Sequence, residues 1–327
     1  MWPILGLSRQ GPDTHDEEDD TVSTPSVTLA SRESYVLAEG PVWDRLRHVL
    51  MWVDIQRGLV LTGRLHEDGT VTEEERVRFP GTVGAVAPSA DSPEEWIVAG
   101  ADRVLYRDAD GRVTDGPVLL SPDSTRRLND GKPDPAGRFL VGSLSLEGES
   151  HTETLVVVRE TGSVDTVDDD LTLSNGLAWS PAGDTLYSVD TIRRTISRRG
   201  WDPAGSVPTS PRETFVTLTD GYPDGICMDS EGALWVAVWG LGEVRRYTSD
   251  GHLDTVVAVP APHVSSVAFG GTDLRTLIVT TATDGLSDQQ RAEHPFSGHL
   301  FTLRTTVPGV VQPFWRGRPR RSAEAEH

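Results

Sequence analysis

A short apolar run, rich in β-branched and aromatic residues, recurs six times along this chain at intervals of about 45 residues. The runs are Val49-Leu-Met-Trp-Val53, Glu95-Trp-Ile-Val-Ala99, Arg138-Phe-Leu-Val-Gly142, Thr185-Leu-Tyr-Ser-Val189, Ala233-Leu-Trp-Val-Ala237 and Thr276-Leu-Ile-Val-Thr280. Turn signals precede them, such as Pro135-Ala-Gly137, Pro181-Ala-Gly183 and Ser230-Glu-Gly232. A second strand usually follows and ends on another turn, as at Asp68-Gly69, Asp110-Gly111 and Asp250-Gly251. Asp-Gly between alternating runs marks a hairpin. No stretch sustains a 3.6-residue period, and Leu286 to Glu293 has room for only a turn or two of helix. Six even units of about four strands predict an all-β, six-bladed β-propeller spanning residues 27–314. A pair of β-sandwiches would not repeat one unit so evenly. Regular Trp-Asp blade ends and Gly-Gly doublets are missing, which argues against the WD40 and kelch versions of the fold.

Composition agrees with this and narrows the partners. The 32 glycines and 22 prolines among 327 residues favour many turns over a helix bundle. The 30 Lys and Arg against 50 Asp and Glu leave a formal net charge of −20, which repels nucleic acid and anionic membrane. A single cysteine, Cys227, forms no internal disulfide and reads as a buried small hydrophobe. No run of about 18 apolar residues is present to span a membrane. The apolar start lacks a basic leader and soon meets acidic residues, so it does not read as a signal peptide, and a cytoplasmic location is expected. Residues 1–26 read as a disordered acidic leader and 315–327 as a disordered basic tail. Nothing in the sequence announces an oligomeric interface.

In a propeller the first strand of each blade starts beside the central channel, where ligands bind. At that position lie Glu39-Gly40, Arg127-Leu-Asn129-Asp130-Gly131, Ser174-Asn175-Gly176 and Pro223-Asp224-Gly225. Each places an oxygen-bearing side chain before a glycine, which lets backbone turn sharply and approach closely. Equivalent positions in successive blades converge on one axis, so Glu39, Asn129, Asn175 and Asp224 are expected to meet. The set is all oxygen, with no thiolate, and suits a hard divalent cation such as Ca²⁺, Mg²⁺ or Mn²⁺. Competing motifs are weak. Gly142-Ser-Leu-Ser-Leu-Glu-Gly148 is not a nucleophile elbow. Asp108-Ala-Asp110-Gly111 lacks the closing Glu of a calcium loop and reads as a hairpin turn. The histidines lack metal-ligand spacing.

Five segments in order carry a family resemblance: Ala38-Glu-Gly-Pro-Val-Trp43, Arg127-Leu-Asn-Asp-Gly-Lys-Pro-Asp-Pro-Ala-Gly-Arg138, Leu173-Ser-Asn-Gly-Leu-Ala-Trp-Ser180, Pro223-Asp-Gly-Ile-Cys-Met-Asp229 and Phe269-Gly-Gly271. Over about residues 35–312 the chain resembles the SMP-30/gluconolactonase/regucalcin family of six-bladed propeller lactonases. The resemblance implies that Glu39, Asn175 and Asp224 bind one divalent cation, Ca²⁺ ahead of Zn²⁺, Mn²⁺ or Mg²⁺. It implies that Arg127 and Asn129 contact substrate, and it aligns a further substrate-contacting carboxylate on Glu147. Leu128 stands where the family commonly has an aromatic residue, and the segment around Glu147 varies.

The expected function is metal-dependent opening of a small sugar lactone, such as gluconolactone, to its aldonic acid. The cation would polarise the carbonyl as a Lewis acid. Asp224 is the candidate base for the attacking water, with a hydroxide held by the cation as the rival nucleophile. Two alternatives keep the same site: an organophosphate or aryl-ester hydrolase, and a non-catalytic calcium-binding propeller. A strictosidine-synthase-like propeller is a more distant rival, which the set Glu39, Asn175 and Asp224 speaks against.

Overall fold

The computed structural model describes residues 26–317 apart from positions 93 and 123. It is built almost wholly of antiparallel strands in six sheets, each laid out from its inner strand toward its outer strand. Five sheets are formed from one continuous stretch each: Ala38–Asp44 to Val71–Arg78 (blade 1), Ala85–Pro88 to Val113–Val118 (blade 2), Arg126–Pro133 to Val164–Leu171 (blade 3), Ser174–Trp179 to Glu213–Thr217 (blade 4) and Tyr222–Met228 to Leu253–Ala258 (blade 5). Blade 6 runs from Val264–Gly270 to Phe301–Arg304 and takes its outer strand, Thr28–Leu29, from the other end of the chain. That strand closes the ring. Blade 4 carries an additional short pairing of Trp201 and Asp202 with Pro208 and Val207. Among the described residues a single short helix, Asp288–Glu293, sits in blade 6 where the sequence allows a turn or two.

The core is not one mass but six clusters, each lying between two adjacent blades. Met51, Val53, Val86 and Trp96 join blades 1 and 2. Ile97, Val104, Phe139 and Val141 join blades 2 and 3, and Leu140, Leu155, Trp179 and Trp201 join 3 and 4. Tyr187, Val189, Met228 and Val236 join 4 and 5, Trp235, Val244, Val267 and Phe269 join 5 and 6, and Trp52, Leu61, Ile278 and Leu300 join 6 to 1. This arrangement explains the sequence pattern. The recurring runs are second strands, covered by a neighbouring blade on both faces, so Leu234–Trp239 is buried throughout. Outer strands cover one face only and carry charge, as in Val71–Arg78 with Glu73, Glu74 and Glu75.

The turns repeat for a local reason. Asp134 Oδ1 accepts from the backbone N–H groups of Ala136 and Arg138, and Asp229 Oδ1 from those of Glu231 and Ala233. Asp108 does the same in blade 2, which makes Asp108–Gly111 the expected hairpin turn.

The end of the propeller needs one correction. The sequence reading assigned residues 315–327 to a tail, yet Trp315 is buried and stacks on Tyr106 with ring centroids 5.5 Å apart. The segment before it crosses the far end of the channel. Val310 N–H donates to Met228 O, Trp43 N–H to Gln312 Oε1, Trp315 N–H to Pro88 O and Arg316 N–H to Gly137 O. One strap thus ties blades 5, 1, 2 and 3, and the large apolar ring of Trp315 is what anchors it against Tyr106. The acidic leader, bar Ser26, and the tail beyond Gly317 lie outside the described residues.

Candidate metal centre

Four of the six inner strands deform where the candidate residues sit. The pairing of first to second strand shifts register between Glu39 and Val42, Leu128 and Gly131, Asn175 and Leu177, and Pro223 and Ile226. Blade 6 shifts at the equivalent place, between Val264 and Ser266, and blade 2 does not. A bulge adds a residue to one strand and re-aims the side chains around it. Here it turns polar side chains toward the channel out of otherwise apolar strands.

The glycines permit the approach of neighbouring blades. A Cβ on Gly176 would lie 2.4 Å from the carbonyl oxygen of Asp224. A Cβ on Gly225 would lie 2.6 Å from the Cα of Ser266. Both positions therefore exclude any side chain, which is the physical content of the Asn-Gly and Asp-Gly pairs.

Five of the six predicted residues come together. Glu39, Arg127, Asn129, Asn175 and Asp224 are all buried. Arg127 donates to Asn129 Oδ1 at 2.7 Å, and Asn129 Nδ2 donates to Asn175 Oδ1 at 3.2 Å and to Ser174 O at 2.9 Å. Asn175 Nδ2 donates to Thr191 Oγ1, which itself donates to Pro223 O beside Asp224. Asp224 lies within hydrogen-bonding reach of the Glu39 and Asn175 side chains. Glu147 is not part of this group. It is exposed on the loop after the second strand of blade 3, with its backbone N–H on Ser145 Oγ.

Asp130 joins the set although the sequence reading assigned it no role of its own. It is buried, with Oδ1 on the Gly131 N–H. Lys132 follows, its ammonium donating to Leu177 O at 2.7 Å and Ile226 O at 3.1 Å. Lys132 also lines a cavity of about 300 Å³ at the far end of the channel, with Trp179, Met228, Phe269 and Val310. Cys227 lines it too, buried as expected, and burial pushes its thiol up to about 12.

Three buried carboxyls crowd together here, with Arg127 and Lys132 beside them. Burial pushes the Glu39 carboxyl well above its usual range, and the neighbouring Asp224 and Asp130 push it further. Burial and Asp130 do the same to Asp224. Burial pulls the Arg127 guanidinium down to about 10, against the attraction of Glu39, Asp284 and Asp224. Asp224 Oδ1 and Arg127 Nε are buried without any hydrogen-bond partner. An orphaned carboxylate oxygen amid mutually repelling carboxylates is a donor set that fits a hard divalent cation. Among the described residues no three His, Cys, Asp or Glu side chains are placed to hold a metal ion together, and the third donor proposed here is the carboxamide of Asn175.

A second ring of carboxylates braces the strand entries. Asp54 accepts from the N–H groups of Val36 and Leu37, just ahead of Glu39. Asp190 accepts from Thr172 N–H and from the Thr172 hydroxyl, ahead of Asn175. Glu153 holds Arg126, beside Arg127. These three were missed from sequence. Two of them carry a repeated signal, an Asp closing an apolar second strand in Val53-Asp54 and Val189-Asp190. At the mouth of the channel His263 stacks on Trp239 with centroids 4.1 Å apart and shares a 2.9 Å hydrogen bond with Asp284 O.

Comparison with known proteins places this geometry among relatives. The pattern of the SMP-30/Gluconolactonase/LRE-like region matches residues 37–283. The chain is 33% identical to a 6-deoxy-6-sulfogluconolactonase of Pseudomonas putida, over 88% of this chain and 97% of that protein. It is 31% identical to an L-arabinolactonase of Azospirillum brasilense, over 90% and 96%. Among solved structures, a calcium-binding regucalcin from Agrobacterium tumefaciens superposes with a TM-score of 0.82 at 30% identity, covering 90% of this chain and 98% of that one. No helix among the described residues is long and apolar enough to cross a membrane.

Proposed function

The chain belongs to the SMP-30/gluconolactonase/LRE-like family, and from that premise we propose that it is a divalent-cation-dependent hydrolase that opens a sugar lactone to the aldonic acid. The observation that carries the reading is the buried convergence of Glu39, Asn175 and Asp224, with Asp224 Oδ1 left unpartnered. Relatives named as lactonases of acidic and pentose sugars support it.

Glu39, Asn175 and Asp224 would hold the cation, Ca²⁺ first among the candidates, and it would supply Lewis-acid polarisation of the lactone carbonyl. The chain's own groups do the rest. Arg127, anchored on Asn129 Oδ1 and Leu128 O, presents its remaining N–H donors to the substrate, and Asn129, whose two N–H groups are already on Ser174 O and Asn175 Oδ1, offers its Oδ1 as an acceptor for a sugar hydroxyl. Arg127 Nε–H, buried without a partner, is placed to donate to a ring or exocyclic oxygen of the substrate. Asp224 takes a proton from the attacking water as its oxygen bonds to the carbonyl carbon. It returns that proton to the ring oxygen as the carbon–oxygen bond of the ring breaks. One water is consumed and a hydroxy acid leaves. The Glu147 carboxylate lies outside the buried set, so in this reading it meets substrate only at the pocket rim.

The test is proton release with a panel of aldono-1,4- and 1,5-lactones beside phenyl acetate and an aryl phosphotriester, with spontaneous hydrolysis subtracted. Turnover on one or more lactones above the other esters supports the reading. Turnover confined to the aryl esters or the phosphotriester would overturn the sugar-lactone assignment.

A further inference from the structure

Each inner strand is the edge of its sheet, so its outward-facing backbone groups look into the channel rather than onto another strand. Such groups need partners when buried. Lys132 supplies two. Its ammonium reaches across from blade 3 to Leu177 O of blade 4 and Ile226 O of blade 5. Each of those carbonyls lies two residues beyond a candidate cation ligand, Asn175 and Asp224, and each closes the register shift that presents that ligand. One side chain therefore clamps the two bulges from the same point on the axis. Lys132 also faces Asp130, the carboxylate of its own strand's bulge, which favours its charged form while burial disfavours it.

We propose that Lys132 is a positioning residue for the cation site. Its ammonium fixes the separation of the Asn175 and Asp224 bulges by bridging the carbonyls at their C-terminal sides. The inference rests on the cation reading above, since it concerns how this chain holds those same ligands.

The sign of the effect separates positioning from simple charge. An ammonium near a cation site repels the cation. If Lys132 acted by charge alone, removing it would tighten cation binding. If it sets the ligand geometry, removing it weakens binding in spite of the lost repulsion.

The experiment measures Ca²⁺ affinity by isothermal titration calorimetry for the full chain and for Lys132→Met, made both alone and together with Asp130→Asn. The second background matters because Lys132→Met alone leaves Asp130 buried without its counter-charge, which can unfold the domain. The double variant removes both charges and is compared with Asp130→Asn alone. Lys132→Arg is the conservative control, because the cavity beside Lys132 has room for a guanidinium. The expected result is at least a tenfold loss of Ca²⁺ affinity from Lys132→Met in each background that folds, with Lys132→Arg within about threefold of wild type. Binding that is unchanged or tighter after Lys132→Met, in a wild-type protein that does bind Ca²⁺, overturns the inference and leaves the cation site standing. A wild-type protein that binds neither Ca²⁺ nor Mg²⁺, Mn²⁺ or Zn²⁺ overturns the cation site itself, and the inference falls with it.

Discussion

His263 makes the stability of this propeller sensitive to acid in a way that can be isolated from every other titrating group. Burial against Trp239 is the main reason its imidazole is pulled from 6.5 down to about 4, and the hydrogen bond to Asp284 O only partly opposes this. The folded state therefore keeps His263 neutral between pH 6.5 and about 4, while the unfolded state protonates it. The unfolded state binds more protons in that window, so stability falls as pH falls. The gap corresponds to about 3 kcal/mol once the pH is below both values, most of it lost by pH 4.5. His263→Phe keeps a flat ring on Trp239 and removes the titration. It also forfeits one hydrogen bond, about 1 kcal/mol at neutral pH. The assay is urea unfolding of both proteins in chelator at pH 7.5 and 4.5. Acid protonates the carboxylates of both proteins alike, so that contribution cancels in the difference. Between the two pH values the stability of wild type should fall by about 2–3 kcal/mol relative to the variant. Equal losses in the two proteins would mean that His263 is accessible to protons in the fold and that its burial does not hold it neutral.

The interface glycines, the strap and the rim give further tests. Gly225→Ala places a Cβ 2.6 Å from Ser266 Cα, and a loss of about 3 kcal/mol or more is expected in chemical denaturation. Trp315→Ala empties a buried site beside Tyr106, and should lower unfolding stability by about 3–5 kcal/mol although the residue lies close to the chain's end. Glu147→Ala touches an exposed side chain; it should leave stability within about 0.5 kcal/mol and cation affinity unchanged, with any kinetic effect confined to KM.

What could be read from the sequence was whatever repeats. The second strands are covered on both faces, so their runs are apolar throughout and visible at each turn of the ring. The channel residues were legible for the same reason, since an oxygen-bearing side chain before glycine recurs at the start of the inner strands of blades 1, 3, 4 and 5. Blade 2 breaks that rule, with Ala85–Pro88 wholly apolar and without a bulge, and it contributes no candidate ligand. Contacts between blades were not legible. Nothing in the spacing of Lys132 shows that its ammonium spans two neighbouring blades, because the carbonyls it meets carry no residue signature. Trp315 looked like tail for a related reason: the arginines around it read as solvated, and its partner Tyr106 lies over 200 positions away. Glu147 differs from the other candidates, since the loop that carries it keeps its carboxylate exposed and apart from the buried set.

The central claim is that a cation held by Glu39, Asn175 and Asp224 is required to open a lactone. The direct measurement is the lactone hydrolysis rate of chelator-stripped protein titrated with Ca²⁺, run in parallel with Asp224→Asn. Turnover should be low without the cation, recover saturably on titration in wild type, and be at least a hundredfold lower in Asp224→Asn at every Ca²⁺ concentration. Full activity in the stripped protein, or a Ca²⁺-restored rate in Asp224→Asn equal to that of wild type, would contradict the claim.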